Sequence, residues 1–450
     1  MTDRDILFRR QFLMTQETCK SLDYWQYKRI GEYHLYAHPD VELSTVTSTN
    51  TTVTVTLIGY ILDPYFSERS NTDIIDTIST FADSTEKLSD YLDSLSGRFV
   101  LIINTEEETL VFHDPCGLRT VYYMKYKGKI FIGSQPLIFK EVLPLKEGER
   151  FTSYLSSPSV KADIEYWIPS GCSLYEGVYH LVPNHYLSFS TLEQTRYWPK
   201  NKLPKKQVDE AGSEVSDLLQ RMMVAGNNRF KLALPLTAGL DSRMLLSASK
   251  SIANDIYFYT LQYRDLNFES ADISIPRKLL QSLGLTHHII DCRKTVPEAF
   301  RDIYQRNTSL AHMDDLGNIA YGMGDSYPQD RICVKGTGSD IGKCAYYQLG
   351  THEPIHSYEQ ILALVNGWQT QPFIRDQISS WYDQASEVAT EINMNILDLF
   401  YWEHRMGSWM SQSYLEWDIV QEVYTPFNHR GLLELMLSVP AKSRDLCNNS

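Results

Sequence analysis

The chain changes rhythm near position 200. Before it, short apolar stretches recur with the two-residue period of strands. Thr51 to Ile58 alternates threonine with apolar residues, as a half-buried strand does. Phe99 to Asn104, Thr109 to His113, Val121 to Tyr126 and Ile130 to Gly133 read as further strands, with Lys127-Gly128-Lys129 as a hairpin turn. Only Thr72 to Ser94 looks helical, with apolar positions at Ile74, Ile75, Ile78 and Phe81. The polar run Pro199 to Gln207 reads as a linker. Beyond it, Val208, Ala211, Val215, Leu218, Leu219 and Met222 keep helical spacing. Strand-like Leu232 to Leu236, Ile256 to Leu261, His288 to Ile290 and Ile332 to Val334 then alternate with helical stretches from Ser242 and over Asp272 to Leu283, the latter closed by Gly284. The expected fold is an α+β antiparallel-sheet domain over residues 1–200, followed by an α/β domain with a doubly wound parallel sheet over 201–450.

Composition narrows the function classes. A net charge of −14 argues against nucleic acid as a main partner, because phosphate binding needs a basic face. No apolar run approaches the roughly 20 residues of a bilayer span, so no membrane partner is expected. The opening Met-Thr-Asp-Arg-Asp lacks the basic and apolar regions of a secretory signal. The seven cysteines are scattered, with no C-x-x-C pair, as suits reduced thiols. A cytoplasmic location is expected.

The chemistry concentrates in two loops. Leu236-Thr237-Ala238-Gly239-Leu240-Asp241-Ser242 joins a strand to a helix, where free backbone N–H groups favour an anion. The small residues at 237–239 let phosphate oxygens approach the backbone. Asp241 beside a phosphate is repulsive unless a cation bridges them, and Mg²⁺ commonly does so. Taken singly, the string is also an ordinary helix cap. Lys335-Gly336-Thr337-Gly338-Ser339-Asp340 repeats the arrangement after another strand. Facing each other across a sheet crevice, the two loops would let Asp241 and Asp340 share Mg²⁺ bound to ATP.

These loops resemble the pyrophosphate loop (S-G-G-x-D-S) and the S-G-x-G-x-D loop of the asparagine synthetase family. Pro426-Phe427-Asn428 resembles that family's P-F-x-D helix entry. Ser96-Gly97-Arg98-Phe99, Asp114 to Arg119, Val121-Tyr122-Tyr123 and Ile132-Gly133-Ser134 resemble its glutamine amidotransferase (Ntn-type) domain, and Gly177 to His185 with Arg196-Tyr197-Trp198 resembles the hairpin between the domains. The order is collinear along nearly the whole chain. The resemblance implies an ATP-pyrophosphatase ligase that converts a carboxylate to its acyl-AMP, releases pyrophosphate and passes the acyl group to an amine, with ATP and Mg²⁺ required and asparagine as the default product. The implied nucleotide-binding set is residues 236–243, Arg243 included, with Gly336, Gly338 and Ser339. Asp241 and Asp340 are the implied metal ligands, and Tyr257 to Gln262 the implied adenine wall.

The chain departs from that pattern in three places. Thr2 stands where active amidotransferase domains carry their N-terminal cysteine, so glutaminase activity is not expected. Thr337 occupies a loop position that relatives fill with Glu or Tyr, and is a poor general base. Asp314, Asp315, Glu403 and His404 are substitutes by residue type, each with a salt-bridging or capping role as the plainer reading; His312-Met313-Asp314-Asp315 likewise reads first as capping rather than metal binding. The catalytic lysine that relatives carry after the P-F-x-D helix is matched only loosely by Lys442 or Arg444; Lys335 is another source of positive charge. The expected partners are a small-molecule carboxylate and ammonia or a primary amine, with a natural product or sugar as acceptor a further option. A non-catalytic nucleotide-binding scaffold is the rival reading, and a homodimer is compatible with either.

Overall fold

The computed structural model describes residues 3–48, 52–162, 166–309, 316–324, 326–347 and 354–448. Two six-stranded antiparallel sheets form the first half. One runs, edge to edge, Tyr179–His180, Tyr122–Tyr126, Lys129–Gly133, Phe12–Thr15, Tyr33–Ala37, Gln26–Ile30; the other runs Gln194–Arg196, His185–Ser188, Thr109–His113, Ser96–Asn104, Thr54–Leu62, Leu43–Thr47. Alternate residues of both sheets meet in one apolar layer that includes Phe12, Leu35, Ile132, Ile58, Ile102 and Val111. The helical stretch before Ser96 is two helices, Asn71–Ser79 and Thr85–Asp93. Ser84 caps the second by accepting from the Lys87 N–H.

The second half is built on a five-stranded, wholly parallel sheet. Its order is His287–Asp291, Tyr257–Gln262, Leu232–Pro235, Ile332–Val334, Val423–Tyr424. Leu232–Pro235 starts the sheet in chain order, and the next two strands add on one side. The chain then crosses to the other side for Ile332–Val334 and Val423–Tyr424. The strand order therefore reverses between Leu232–Pro235 and Ile332–Val334, the place where open α/β sheets leave a ligand crevice. Val208–Arg229 packs beneath, burying Leu218, Leu219, Met222 and Met223. No helix among the described residues is long and apolar enough to cross a membrane.

The halves share packing rather than merely touching. One apolar cluster contains Leu101 and Phe112 from the antiparallel sheets, Tyr259 and Cys333 from the parallel sheet, and Trp198, Trp402 and Leu433 between them. Residues 199–207 run through this arrangement without helix or strand. Charge is buried in the same seam. Arg98 pairs with both carboxylate oxygens of Asp418 at 2.5 and 2.7 Å and with Glu422 at 2.8 Å. Arg119 reaches the other Glu422 oxygen at 2.8 Å. Asn428 donates to Gly97 O and Asp114 Oδ1 and accepts from the Cys116 N–H. Asp114 also accepts from the N–H groups of Phe99, Leu118 and Arg119, which folds the Asp114 to Arg119 turn around one carboxylate.

Among the histidines buried in the seam, His113, His180 and His404 sit as neutral rings. His180 stacks on Tyr122 at 4.2 Å and His404 meets Trp381 edge-on at 4.7 Å. Burial is the main cause that lowers His113 to about 4 and both His180 and His404 to about 3, from an ordinary 6.5.

Two outcomes follow from this packing. Arg98→Met is expected to cost roughly 3–5 kcal/mol in urea unfolding, because it leaves Asp418 buried without its counter-ion. The histidines fix the sign of an acid dependence. The unfolded chain binds their protons near 6.5 and the folded chain only near 3–4, so stability is undiminished above 6.5 and falls as pH drops through the window. Each contributes a slope of about 1.4 kcal/mol per pH unit. Thermal melts between pH 7.5 and 4.5 should show His404→Phe with a shallower acid slope than the unsubstituted chain.

Candidate functional site

The first loop leaves the central strand at Pro235 and enters helix Leu240–Ala248 through Gly239. Its shape is set by short polar bonds. The Thr237 N–H donates to Ser242 Oγ at 3.2 Å, and the Gly239 N–H donates to Thr237 Oγ1 at 3.1 Å. The Ala238 N–H donates to Asp272 Oδ1 at 3.0 Å. Asp272 opens the next helix, Ala271–Ser282, so it ties the loop to the neighbouring strand–helix unit. Leu236 remains in register, donating to Tyr259 O at 2.7 Å. Leu240 and Arg243 are exposed, and Arg243 Nε reaches only back to Gly239 O at 3.4 Å.

The second loop leaves Ile332–Val334 one strand away. Its backbone begins with the Lys335 N–H donating to Tyr424 O at 2.8 Å. Gly336 packs directly against the first loop: a Cβ there would meet Asp241 Cβ at 2.7 Å, so no larger residue fits without separating the loops. Gly338 has φ +97° and caps a single turn, Ser339–Gly342. Ser339 Oγ donates to Asp241 Oδ1 at 2.8 Å. The Arg444 guanidinium props this turn by donating to Gly342 O at 3.0 Å while pairing with buried Asp398 at 2.6 Å.

Asp241 and Asp340 meet at one cation. Lys343 Nζ lies 2.6 Å from Asp241 Oδ2 and 2.9 Å from Asp340 Oδ1. All three side chains are half-buried. Burial disfavours the Lys343 charge, but hydrogen bonds and attraction from both carboxylates outweigh it and hold its pKa above the usual lysine value. Tyr401 faces the same pair: burial, then the nearby Asp340 and Asp241 charges, raises its phenol pKa. The two carboxylates that reach this one ammonium are hard oxygen donors, the type that also suits a divalent ion.

Lys335 and Thr337 turn the other way. Lys335 Nζ lies 3.9 Å from the Trp417 ring centroid and 5.8 Å from that of Tyr414. Burial lowers its pKa to about 8, partly offset by Cys333 and Glu416. The Thr337 hydroxyl is hydrogen-bonded to Tyr414, which is bonded in turn to Thr425. Glu416 also raises the pKa of Tyr166, secondarily to burial, and Tyr166 lines a cavity of about 710 Å³ with Phe8, Phe151, Tyr175 and Arg306.

The structure brings together Asp241, Asp340, Ser339 and Gly336, with Lys335 and Thr337 behind them. Glu403 is occupied elsewhere, paired with Arg196 and accepting from the Trp381 indole at 2.7 Å. His404 is buried beside it. Arg444 is committed to Asp398, and Lys442 is exposed. Thr2, His312, Met313, Asp314 and Asp315 lie outside the described residues. The sequence reading missed Lys343, Asp272, Tyr401 and Tyr414. Of these only Lys343 left a trace, as a lysine three residues after Asp340.

No protein-family profile matches the chain. It is similar to Amidase chry2 of Gibberella zeae, 22% identical over 304 residues, which cover 60% of this chain and 44% of that protein. The match thus spans less than half the relative's length. Two solved structures are similar at low scores. One is described as the allosteric regulatory enzyme of purine biosynthesis (TM-score 0.27, 12% identity, 64% of this chain and 70% of that one). The other is glutamine phosphoribosylpyrophosphate amidotransferase from B. subtilis, complexed with ADP and GMP (TM-score 0.25, 11% identity, 80% of this chain and 84% of that one). At those scores the fold rests on the strand order described above.

Proposed function

We propose that the chain is an ATP-dependent, AMP-forming amide ligase of the asparagine synthetase type, with an amidotransferase-like first half that lacks glutaminase activity. One observation carries the reading. Two glycine-containing loops end adjacent parallel strands at the reversal of strand order, and their carboxylates, Asp241 and Asp340, close on a single cation. A loop that merely turned the chain would not need a second carboxylate opposite the first.

In this reading ATP lies across the crevice with its phosphates on the free N–H groups that open helix Leu240–Ala248. Asp241 and Asp340 would hold Mg²⁺, which supplies charge neutralisation to the phosphates. The substrate carboxylate attacks the α-phosphorus, forming an acyl–O–P bond as the bond to pyrophosphate breaks. An amine then attacks the acyl carbon and AMP leaves, the amine proton passing to solvent or a nearby base. Lys335, in its charged form, stabilises negative charge on that side of the crevice. The cavity of about 710 Å³ lined by Phe8, Phe151, Tyr166 and Arg306 is large enough for a small-molecule carboxylate. Free ammonia or a primary amine serves as nucleophile. A cytoplasmic location suits the ATP requirement.

The name of the similar protein favours a second reading, amide hydrolysis. The two differ in nucleotide demand: the ligase makes AMP and pyrophosphate, and a hydrolase needs no ATP.

Two measurements test the ligase. Carboxylate-dependent ATP–pyrophosphate exchange is expected across a panel of acids, and Asp241→Asn or Asp340→Asn should lower it by on the order of 10²–10³. Exchange that survives both substitutions together would refute the proposal. The second test is the pH profile of kcat/KM. Lys335 loses its proton as pH rises through about 8, so the rate should fall on the alkaline side. Lys335→Arg should retain activity and lose that limb, whereas Lys335→Met should be slow at every pH.

A further inference from the structure

We infer that Lys343 is a built-in competitor for the divalent cation and makes metal binding depend on nucleotide. The inference rests on the ligase reading for the metal's place. Its own ground is the position of one ammonium. Lys343 follows the turn that carries Asp340, so its side chain folds back over that turn. It meets Asp340 at i,i+3 and Asp241 across the crevice, at 2.9 and 2.6 Å. Asp241 has its other oxygen occupied by the Ser339 hydroxyl at 2.8 Å. A divalent ion bridging both carboxylates would take the space that Nζ holds, because both cations are fixed by the same two oxygens.

Displacement has a cost that nucleotide removes. Without ATP, an expelled ammonium loses two carboxylates at hydrogen-bond distance in a half-buried site, where their attraction exceeds that in water. With ATP bound at the crevice, the polyphosphate gives the same ammonium new anionic partners within a short swing of its four-carbon stem. Divalent ion and nucleotide therefore bind with positive coupling, and the free ion alone binds weakly. Coupling of this kind is reciprocal, so the ion strengthens nucleotide binding by the same factor. The resting protein also avoids placing two uncompensated carboxylates side by side, so the loops keep their shape before ligand arrives.

The test is Mn²⁺ binding to the full chain, followed by electron paramagnetic resonance, with and without α,β-methylene-ATP. Lys343→Met and Lys343→Gln are compared with the unsubstituted chain, and thermal melts confirm that each folds. Both variants should bind Mn²⁺ alone about tenfold or more tightly, a change of about 1.4 kcal/mol, and should show reduced coupling to the nucleotide analogue. Lys343→Arg, which keeps the charge, should leave Mn²⁺ binding weak. If the variants bind Mn²⁺ no better, or less well, while the unsubstituted chain still binds Mn²⁺ with the analogue, Lys343 is a clamp or a phosphate ligand and the inference is wrong. If no form binds Mn²⁺ or the analogue, the ligase reading fails and the inference fails with it.

Discussion

The geometry of the crevice depends on a buried charge network outside it. Arg98 and Arg119, from the antiparallel half, hold Asp418 and Glu422. Those carboxylates flank the approach to Val423–Tyr424, a strand only two residues long. Two residues supply too little pairing to stay in register unaided. Once fixed, that strand pairs Cys333 with Val423 and accepts the Lys335 N–H at Tyr424 O. The Gly336 to Asp340 loop starts from that bond. The path from Arg98 to Asp340 is therefore a continuous set of contacts, each holding the next. It gives the first half a structural duty at the crevice.

Much of this was legible in the sequence, and the gaps have physical causes. Short apolar runs marked Thr109–His113 without error and the core of Ser96–Asn104, because strands buried on both faces are apolar almost throughout. The strand at Leu232 was legible as a short apolar run ahead of a glycine-containing turn and a helix. The helical stretch from Thr72 to Ser94 concealed a break, because Phe81 and Ala82 continue the apolar pattern through residues that a serine cap then interrupts. Val423–Tyr424 is too short to carry any period. Arg98 and Asp418 are 320 positions apart, and nothing local marks either as the other's partner.

The site was legible in one respect and hidden in another. Each loop announces itself by small residues before an aspartate, since close backbone approach and a carboxylate are both written in residue type. What holds the loops together is not. Asp272 resembles any acidic residue in the first turn of a helix, yet it accepts the Ala238 N–H. Tyr414 lies far from Thr337 in sequence and bonds to it in space. Thr337, read as a weak replacement for a base, has its hydroxyl engaged by Tyr414, which leaves the crevice facing Asp241 to the backbone and to Ser339.

The two lysines of the second loop show how one residue type takes opposite electrostatic duties within eight positions. Lys335 stands over Trp417 among buried groups, where desolvation lowers its pKa to about 8. Lys343 is less enclosed and touches two carboxylates, which raise its pKa instead. At neutral pH both are charged, but only the Lys335 charge is close to release. A group near its pKa can answer a change in local charge by exchanging a proton, whereas one far below its pKa can answer only by moving. An anion entering the crevice would draw the first lysine further toward its protonated form and the second toward a new partner. The same anion would thus strengthen the charge behind the loop and free the carboxylates in front of it.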